Sequence, residues 1–302
     1  MTKPALNLAG AMALKLAASH HSAALTSYQL AVYLFDIYLS KEQEGQRVRA
    51  KKPLPDTADI KRVKDALIRN GIIQEHGEIG AGIYRYLARP YFEAEQIICG
   101  VDPFAYISHL SAMTHYGLTD RLPQIVFATT WDAPNWRHHA NLLMDKDLGN
   151  QLPAYLEARL PGLRRISFKT INKKQINMYT SSVAGSFVHV RDRDFRVSSL
   201  GRTFLDMLRR PDLCNSMAHV INVFEQHAQR YLGLIIEEVD QHGSQIEKAR
   251  AGYILEELCN ISDPRIDAWA SKAQRGGSRK LDPAAEYSSD FSERWCISLN
   301  VI

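Results

Sequence analysis

Two stretches of the sequence hold side chains whose types and spacing could do chemistry. In "AGSFVHVRDRDF", Gly185-Ser186 precedes Asp192-x-Asp194. A glycine-serine followed by paired carboxylates is how nucleotidyltransferases hold magnesium and a nucleoside triphosphate. Here the acids follow too soon for the usual strand arrangement, and Arg191, Arg193 and Arg196 alternate with them as ready counter-charges. A turn with local ion pairs is the expectation, and an enzyme built on Asp192 and Asp194 stands as an alternative that alanine at either position would test. In "SSLGRTFLDMLRRPDLC", Arg202, Asp206 and Arg210 recur at helical spacing and Arg209 lies three residues beyond the aspartate. That spacing makes a ladder of intrahelical ion pairs, with Phe204, Leu205 and Leu208 buried on the other side and Pro211 limiting the helix. Asp206 lacks a nearby nucleophile or base, so the stretch reads as a structural staple.

Other catalytic signatures are missing. The pairs His20-His21 and His138-His139, and His109 with His115, do not have the i, i+4 spacing with a carboxylate that zinc hydrolases use. There is no G-x-S-x-G, P-loop or G-x-G-x-x-G, and "GEIGAG" sits between two strand-like runs, where it reads as a turn. No catalytic residue, metal or cofactor is expected.

Basic side chains point elsewhere. Arg47, Arg49, Lys51, Lys52, Lys61, Arg62 and Lys64 are opposed over their stretch only by Asp56 and Asp59. The elements that must position them are legible. "TSYQLAVYLFDIYLS" predicts a helix capped by Thr26 or Ser27 and buried over most of its circumference. A polar, basic loop follows, in which Pro53 and Pro55 prevent a continuous helix. In "DTADIKRVKDALIRNGII", Asp56 or Thr57 caps, Ile60, Val63 and Leu67 share one face, and Asn70-Gly71 ends the helix. Its opposite face carries Lys61, Arg62, Asp65 and Arg69. "IIQEHGEIGAGIYRYLA" then predicts two short strands around a glycine-rich turn, with Arg85 in the second. Helix, basic loop, helix and hairpin are the order of a winged helix-turn-helix, whose second helix enters the major groove. Arginine can bind guanine bidentately there, while the loop cations neutralise phosphates. Asp59 and Asp65 temper the positive face, and a basic surface used for protein contacts is the alternative.

The pattern changes around Arg89-Pro90, which places a boundary near residue 95: a winged helix over 1–95 and a mixed α/β domain over 96–302, α+β in class. In the second part "AYISHLSAMTHYGL" predicts a helix ending at Gly117, "QIVFATT" a buried strand, and "RISFKTI", "FVHVRDRDFRVSS" and "RWCISLNV" further strands. From Arg202 the chain reads as helical, and "KAQRGGSRKLDPAAEYSSDFSE" as a loop. Arg164, Arg165, Lys169, Lys173 and Lys174 form a second basic cluster, suited to DNA, to an acidic partner, or simply to solvent.

The bulk numbers fit this picture. At 302 residues, 45% hydrophobic and 23% charged, the chain can bury two ordinary cores, and a net charge of +4 alone decides nothing about partners. Cys99, Cys214, Cys259 and Cys296 are dispersed, as expected of reduced thiols in a cytoplasmic protein. The N-terminal "MTKPALNLAGAMALKLAASHH" is interrupted by Lys15 and reads as helix rather than leader. No apolar run approaches about 18 residues, so no membrane span is expected.

The chain resembles the AbiEi-type antitoxins of type IV toxin–antitoxin systems. The resemblance lies in "YISHLSAMTHYGLTDRLPQIVFATT", "SSLGRTFLDMLRRPDLC", "KARAGYILEEL" and the ending "LDPAAEYSSDFSERWCISLNV", in the expected order over nearly the whole length. Gly201 stands where the family usually has an acidic residue, and "LCNSM" where a Gly-Gly is common. The resemblance implies a DNA-binding autorepressor that recognises inverted repeats near its own promoter and antagonises a nucleotidyltransferase-like toxin. Arg47 through Arg69 would then hold the operator. The alternative is a stand-alone winged-helix regulator whose C-terminal domain senses a ligand or partner.

Overall fold

The computed structural model describes residues 5–89, 93–183, 185–191, 193–273 and 279–301. Asp192, one half of the paired-acid stretch, and Pro90, beside the expected boundary, lie outside them. The fold is mixed α/β of the α+β class. Two compact units divide the chain: Met1–Ala105, Thr130–Val183 and Val190–Phe195 form the first, and Tyr106–Thr129, Ala184–His189 and Arg196–Ile302 the second. Each has its own apolar core.

Unit 1 starts with α1 (Leu8–Ser19), capped by the Asn7 side chain, which accepts a hydrogen bond from the Gly10 amide at 2.8 Å. Strand β1 (Ala24–Thr26) leads into α2 (Ser27–Ser40), where Thr26 and Gln29 form a reciprocal capping box. As the apolar density of this helix predicts, Leu30, Ala31, Leu34, Phe35, Ile37 and Tyr38 are all buried. The basic loop contains a small hairpin that the sequence pattern does not signal, β2 (Glu42–Gln43) and β3 (Gln46–Arg47). Its turn residues Glu44 and Gly45 both have positive φ, the conformation that tight hairpins require. Helix α3 (Thr57–Arg69) is capped by Asp56, one of the two candidates the sequence offers, and has the inward face Ile60, Val63 and Leu67 and the stop at Gly71, φ +65°, that the sequence predicts. Strands β4 (Ile73–Glu75) and β5 (Ile83–Tyr86) pair antiparallel, and β1 pairs on the other edge of β5, giving the order β1-β5-β4.

Helix α4 (Ala94–Val101) follows within the same unit. Residue 95 therefore falls inside unit 1. The physical tie is Asp102, a buried carboxylate that accepts hydrogen bonds from Thr130 Oγ1 at 2.8 Å and Trp136 Nε1 at 3.1 Å.

The helix expected over 105–117 is split into β6 (Tyr106–Ile107) and α5 (His109–His115). Tyr106 and Ile107 pair with Thr129 and Ala128 of β7 (Ile125–Trp131), so long-range strand pairing overrides the local helical period. The end at Gly117, with φ +65°, is the one the sequence predicts. The division between units falls inside β7, after Thr129. Helices α6 (Ala133–Leu148) and α7 (Leu152–Glu157) return to unit 1, where Met144, Leu148, Tyr155 and Leu160 complete the core around α2. The rings of Phe35 and Tyr155 meet edge-on at 5.3 Å. The Tyr28 hydroxyl donates to Asp147 at 2.8 Å. A hairpin of β8 (Thr170–Ile171) and β9 (Lys174–Ser181) turns through Asn172 and Lys173, both at positive φ. Only the last two residues of "RISFKTI" are strand.

In unit 2, β10 (Phe187–His189) pairs antiparallel with β11 (Arg196–Ser198), which runs parallel to β6. Four helices follow: α8 (Leu200–Arg209), α9 (Met217–His242), α10 (Gln245–Tyr253) and α11 (Pro264–Ala270). A π-helical turn at Ile254–Leu258 continues α10. The C-terminal segment contributes only a two-residue pair, β12 (Phe291–Ser292) and β13 (Ile297–Ser298), so most of "RWCISLNV" is not strand.

Candidate nucleic-acid interface

Helix α3 presents Lys61, Arg62 and Arg69 to solvent opposite its buried stripe, with Asp65 half-exposed between them. The exposed cations differ in their surroundings. Lys61 and Arg69 make no ion pair among the described residues. Arg62 Nη2 donates to Asp59 Oδ1 at 2.5 Å, and Asp59 is only 2% exposed. Its second oxygen faces Lys52 Nζ at 3.4 Å and accepts the Asp56 amide at 3.2 Å. Tyr38 also donates its hydroxyl to Asp59, and burial, with that bond, raises the phenol above its ordinary value. Lys52 pairs with Asp56 as well, which holds that carboxyl at about 2. Lys64 bonds to Asp65 at 3.1 Å and faces Glu75 at 3.8 Å. Positive charge from the sequence is thus partly neutralised at Lys52, Arg62 and Lys64.

The loop cations converge on the same place. Arg49, Lys51, Lys52 and Arg62 line a cavity of about 310 Å³ whose opposite wall is the first turn of α1 at Asn7 and Leu8. That turn carries no acidic side chain and offers the positive end of the helix dipole. Sequence reasoning placed Asp59 among these cations but missed its burial, and it missed Asn7 and Tyr38 as members of this group. Only the Asp-x-x-Asp spacing of Asp56 and Asp59 signalled it, and that spacing reads first as a cap. Arg47, also exposed, ends β3. Arg85 is placed differently from the exposed cations: it is half-buried in the central strand β5, opposite Ala24 and Gln74.

The second basic cluster also lies in unit 1, tied to the β4–β5 turn. Arg164 Nη2 donates to the Ala81 carbonyl at 3.4 Å, and the Asn172 amide donates to Glu78 at 2.6 Å. Both acceptors belong to the glycine-rich β4–β5 turn. Gly82 of that turn has φ +89°, and an added β-carbon there would lie 2.8 Å from Ser27 Oγ and 3.2 Å from Arg164. The β8–β9 hairpin is thereby held beside the β4–β5 hairpin. Arg164, Arg165, Lys169, Lys173 and Lys174 are all exposed and make no ion pair among the described residues.

Gly185-Ser186 closes over a buried charge cluster in unit 2. The Gly185 amide donates to the Tyr106 hydroxyl at 3.2 Å, and Ser186 Oγ donates to Glu238 at 3.1 Å. A β-carbon on Gly185 would lie 2.7 Å from Arg202 Nε. Asp194 is exposed, and Arg193 bonds to Glu93 at 2.9 Å. The ladder read in "SSLGRTFLDMLRRPDLC" needs correction. Arg202 Nε does donate to Asp206 at 2.8 Å, but both are buried, and Glu238 lies 3.9 Å from Arg202. Arg209 instead reaches Glu247 and the His242 carbonyl, and Arg210 pairs with Asp212. Of the three arginines, Arg202 keeps its intrahelical partner, Arg209 takes partners from the end of α9 and the start of α10, and Arg210 pairs locally just beyond the helix.

Among the described residues no cluster of three or more His, Cys, Asp or Glu is placed to hold a metal ion, and no helix is long and apolar enough to cross a membrane. No family model and no curated protein matches the chain. Among solved structures, the crystal structure of the RV2827C protein from Mycobacterium tuberculosis is similar, at 12% identity and a TM-score of 0.45, over 96% of this chain and 90% of that one.

Proposed function

We propose that the protein is a cytoplasmic, non-catalytic DNA-binding autorepressor that acts as the antitoxin of a type IV toxin–antitoxin system against a nucleotidyltransferase-like toxin. In this reading unit 1 contains a winged helix-turn-helix, with α3 as the recognition helix and β4–β5 as the wing. The observation that carries the DNA-binding half is the grouping in unit 1 of α3's exposed cations, the Arg49–Lys52 loop and the β8–β9 cations beside the β4–β5 turn. Support for the topology comes from the order α1-β1-α2-α3-β4-β5 with β1 on the far edge of β5. The antitoxin half rests on the sequence resemblance to the AbiEi-type antitoxins.

Double-stranded DNA from the protein's own promoter, with its inverted repeats, is the partner to test first. Purified protein is titrated against that duplex and an unrelated one across a salt series, beside a Lys61→Ala/Arg62→Ala variant. The proposal expects salt-sensitive binding that favours the promoter and that the variant weakens. Absence of binding at low salt would remove the regulatory half. Co-expression with a nucleotidyltransferase-like toxin encoded beside the gene tests the other half: restored growth supports an antitoxin, and unrelieved arrest leaves a stand-alone regulator.

A further inference from the structure

We infer that Asp59 is a positioning residue that makes Arg62 the base-reading arginine of α3, while Lys61 and Arg69 serve the phosphate backbone. The inference rests on the DNA-binding reading above and deepens it.

The asymmetry among these three cations is built into the helix. The Asp59 carboxylate is buried and held by the Asp56 amide and the Tyr38 hydroxyl, so its own position is fixed. It grips Arg62 through Nη2 alone, and the arginine side chain remains 65% exposed with its other donors making no hydrogen bond among the described residues. A guanidinium held by one atom against a rigid anchor samples fewer orientations before any ligand arrives. Its remaining fork matches the O6 and N7 acceptors of guanine in the major groove. Pre-ordering removes part of the entropy cost of binding, and it favours geometry-dependent contacts over diffuse charge attraction.

Lys61 and Arg69 have the opposite character. Neither has an acceptor among the described residues, so each keeps its full charge and its rotational freedom. Such side chains follow a phosphate wherever the backbone runs, and they contribute affinity without information. Arg62 is partly neutralised by Asp59 and is correspondingly less suited to phosphate. The two kinds of cation on one face divide the labour of recognition.

Selection from a randomised duplex pool tests this, because the protein itself picks out the sequence it prefers. Full-length wild type, Arg62→Lys, Asp59→Asn and Arg69→Ala are each used to enrich sites, with thermal unfolding measured alongside. Asparagine keeps an acceptor for the Asp56 amide but presents no second oxygen to the guanidinium. We expect Arg62→Lys and Asp59→Asn to lose preference at one guanine that wild type selects, by about tenfold or more. Their binding to non-selected DNA should change little. Arg69→Ala should bind all DNA more weakly and keep the motif. An unchanged motif in Arg62→Lys and Asp59→Asn would overturn the assignment and leave the DNA-binding reading standing. Equal weakening on every sequence, with unfolding unchanged, would make Arg62 a phosphate contact and also overturn it. Wild type that retains no DNA at low salt would sink the DNA-binding reading itself.

Discussion

The indole of Trp295 lies against the backbone of Gly252: a β-carbon built on Gly252 would stand 2.0 Å from Trp295 Cη2. Trp295 is fully buried, and its Nε1 donates to Glu256 at 3.0 Å, within the π-helical turn that continues α10. Gly252 and Trp295, 43 positions apart, therefore join the motifs "KARAGYILEEL" and "SERWCISLNV" in one packing unit. Trp295→Ala is expected to cost about 3–5 kcal/mol of unfolding free energy, the range for emptying a buried aromatic site. Gly252→Ala should destabilise as well, because the ring and the new methyl cannot share the space. Urea unfolding monitored by circular dichroism would show both, and a Gly252→Ala protein as stable as wild type would mean that the ring moves aside freely.

The buried charges of α8 and α9 predict a second stability effect. Arg202 stands between Asp206 and Glu238 with almost no solvent. Arg202→Ala leaves two carboxylates buried without their cation, at a cost of about 3–5 kcal/mol. Replacing Arg202, Asp206 and Glu238 together by methionine and leucine should recover most of that loss. Equal instability of the single and triple variants would show that shape, rather than charge balance, holds the site.

Gly201 packs α8 onto α9. A β-carbon there would meet the Leu234 carbonyl oxygen at 2.4 Å. Gly201→Asp is expected to lower the unfolding midpoint substantially. A midpoint within a degree of wild type would show that the two helices separate easily.

If the β8–β9 cations contact DNA, they should be visible in the salt dependence. Each phosphate contact contributes about 0.9 to the slope of log affinity against log salt. Lys169→Ala/Lys173→Ala/Lys174→Ala should therefore reduce the slope by about 2–3 and weaken binding on specific and unrelated duplexes alike. An unchanged slope would return these side chains to solvent or to another partner.

His76 at the head of the β4–β5 turn is buried, and neither ring nitrogen has a hydrogen-bond partner among the described residues. Burial, with Arg85 nearby, lowers its pKa from 6.5. Below about pH 6.5 the unfolded chain takes up a proton that the folded imidazole refuses, so stability falls as the pH falls, until the folded imidazole itself protonates. One such group contributes at most about 1.4 kcal/mol per pH unit. His76→Phe should flatten the stability profile between pH 6.5 and the folded-state pKa, as chemical denaturation at stepped pH would show. A profile as steep as wild type would place the proton uptake at other histidines.

Legibility of the fold followed the range of the interactions. Helix α3 was readable to its ends because Asp56, the Ile60–Val63–Leu67 stripe and Gly71 act within a few residues of one another. Strand β1 was not, since three residues become a strand only through partners 57–61 positions away on β5. The same cause split the helix expected before Gly117: Tyr106 and Ile107 obey β7. The basic face and the acids that temper it were visible in outline, but the burial of Asp59 was not. Asp59 reads as a surface acid on an amphipathic helix, whereas Tyr38 and the cap bury it. The tie of the second basic cluster to the β4–β5 turn runs through the Ala81 carbonyl and the Asn172 amide, backbone groups that residue type does not reveal.

The core around α2 has a consequence for inheritance. Phe35 and Tyr28 are covered by Tyr155, Met144 and Leu148, side chains encoded more than a hundred codons downstream. A recombination breakpoint between those stretches would hand the recipient a three-helix segment with its apolar flank stripped. Such a segment cannot travel between genes as a cassette, and lineages that exchange their C-terminal halves must carry α6 and α7 along with the N-terminal sequence or evolve a replacement cover.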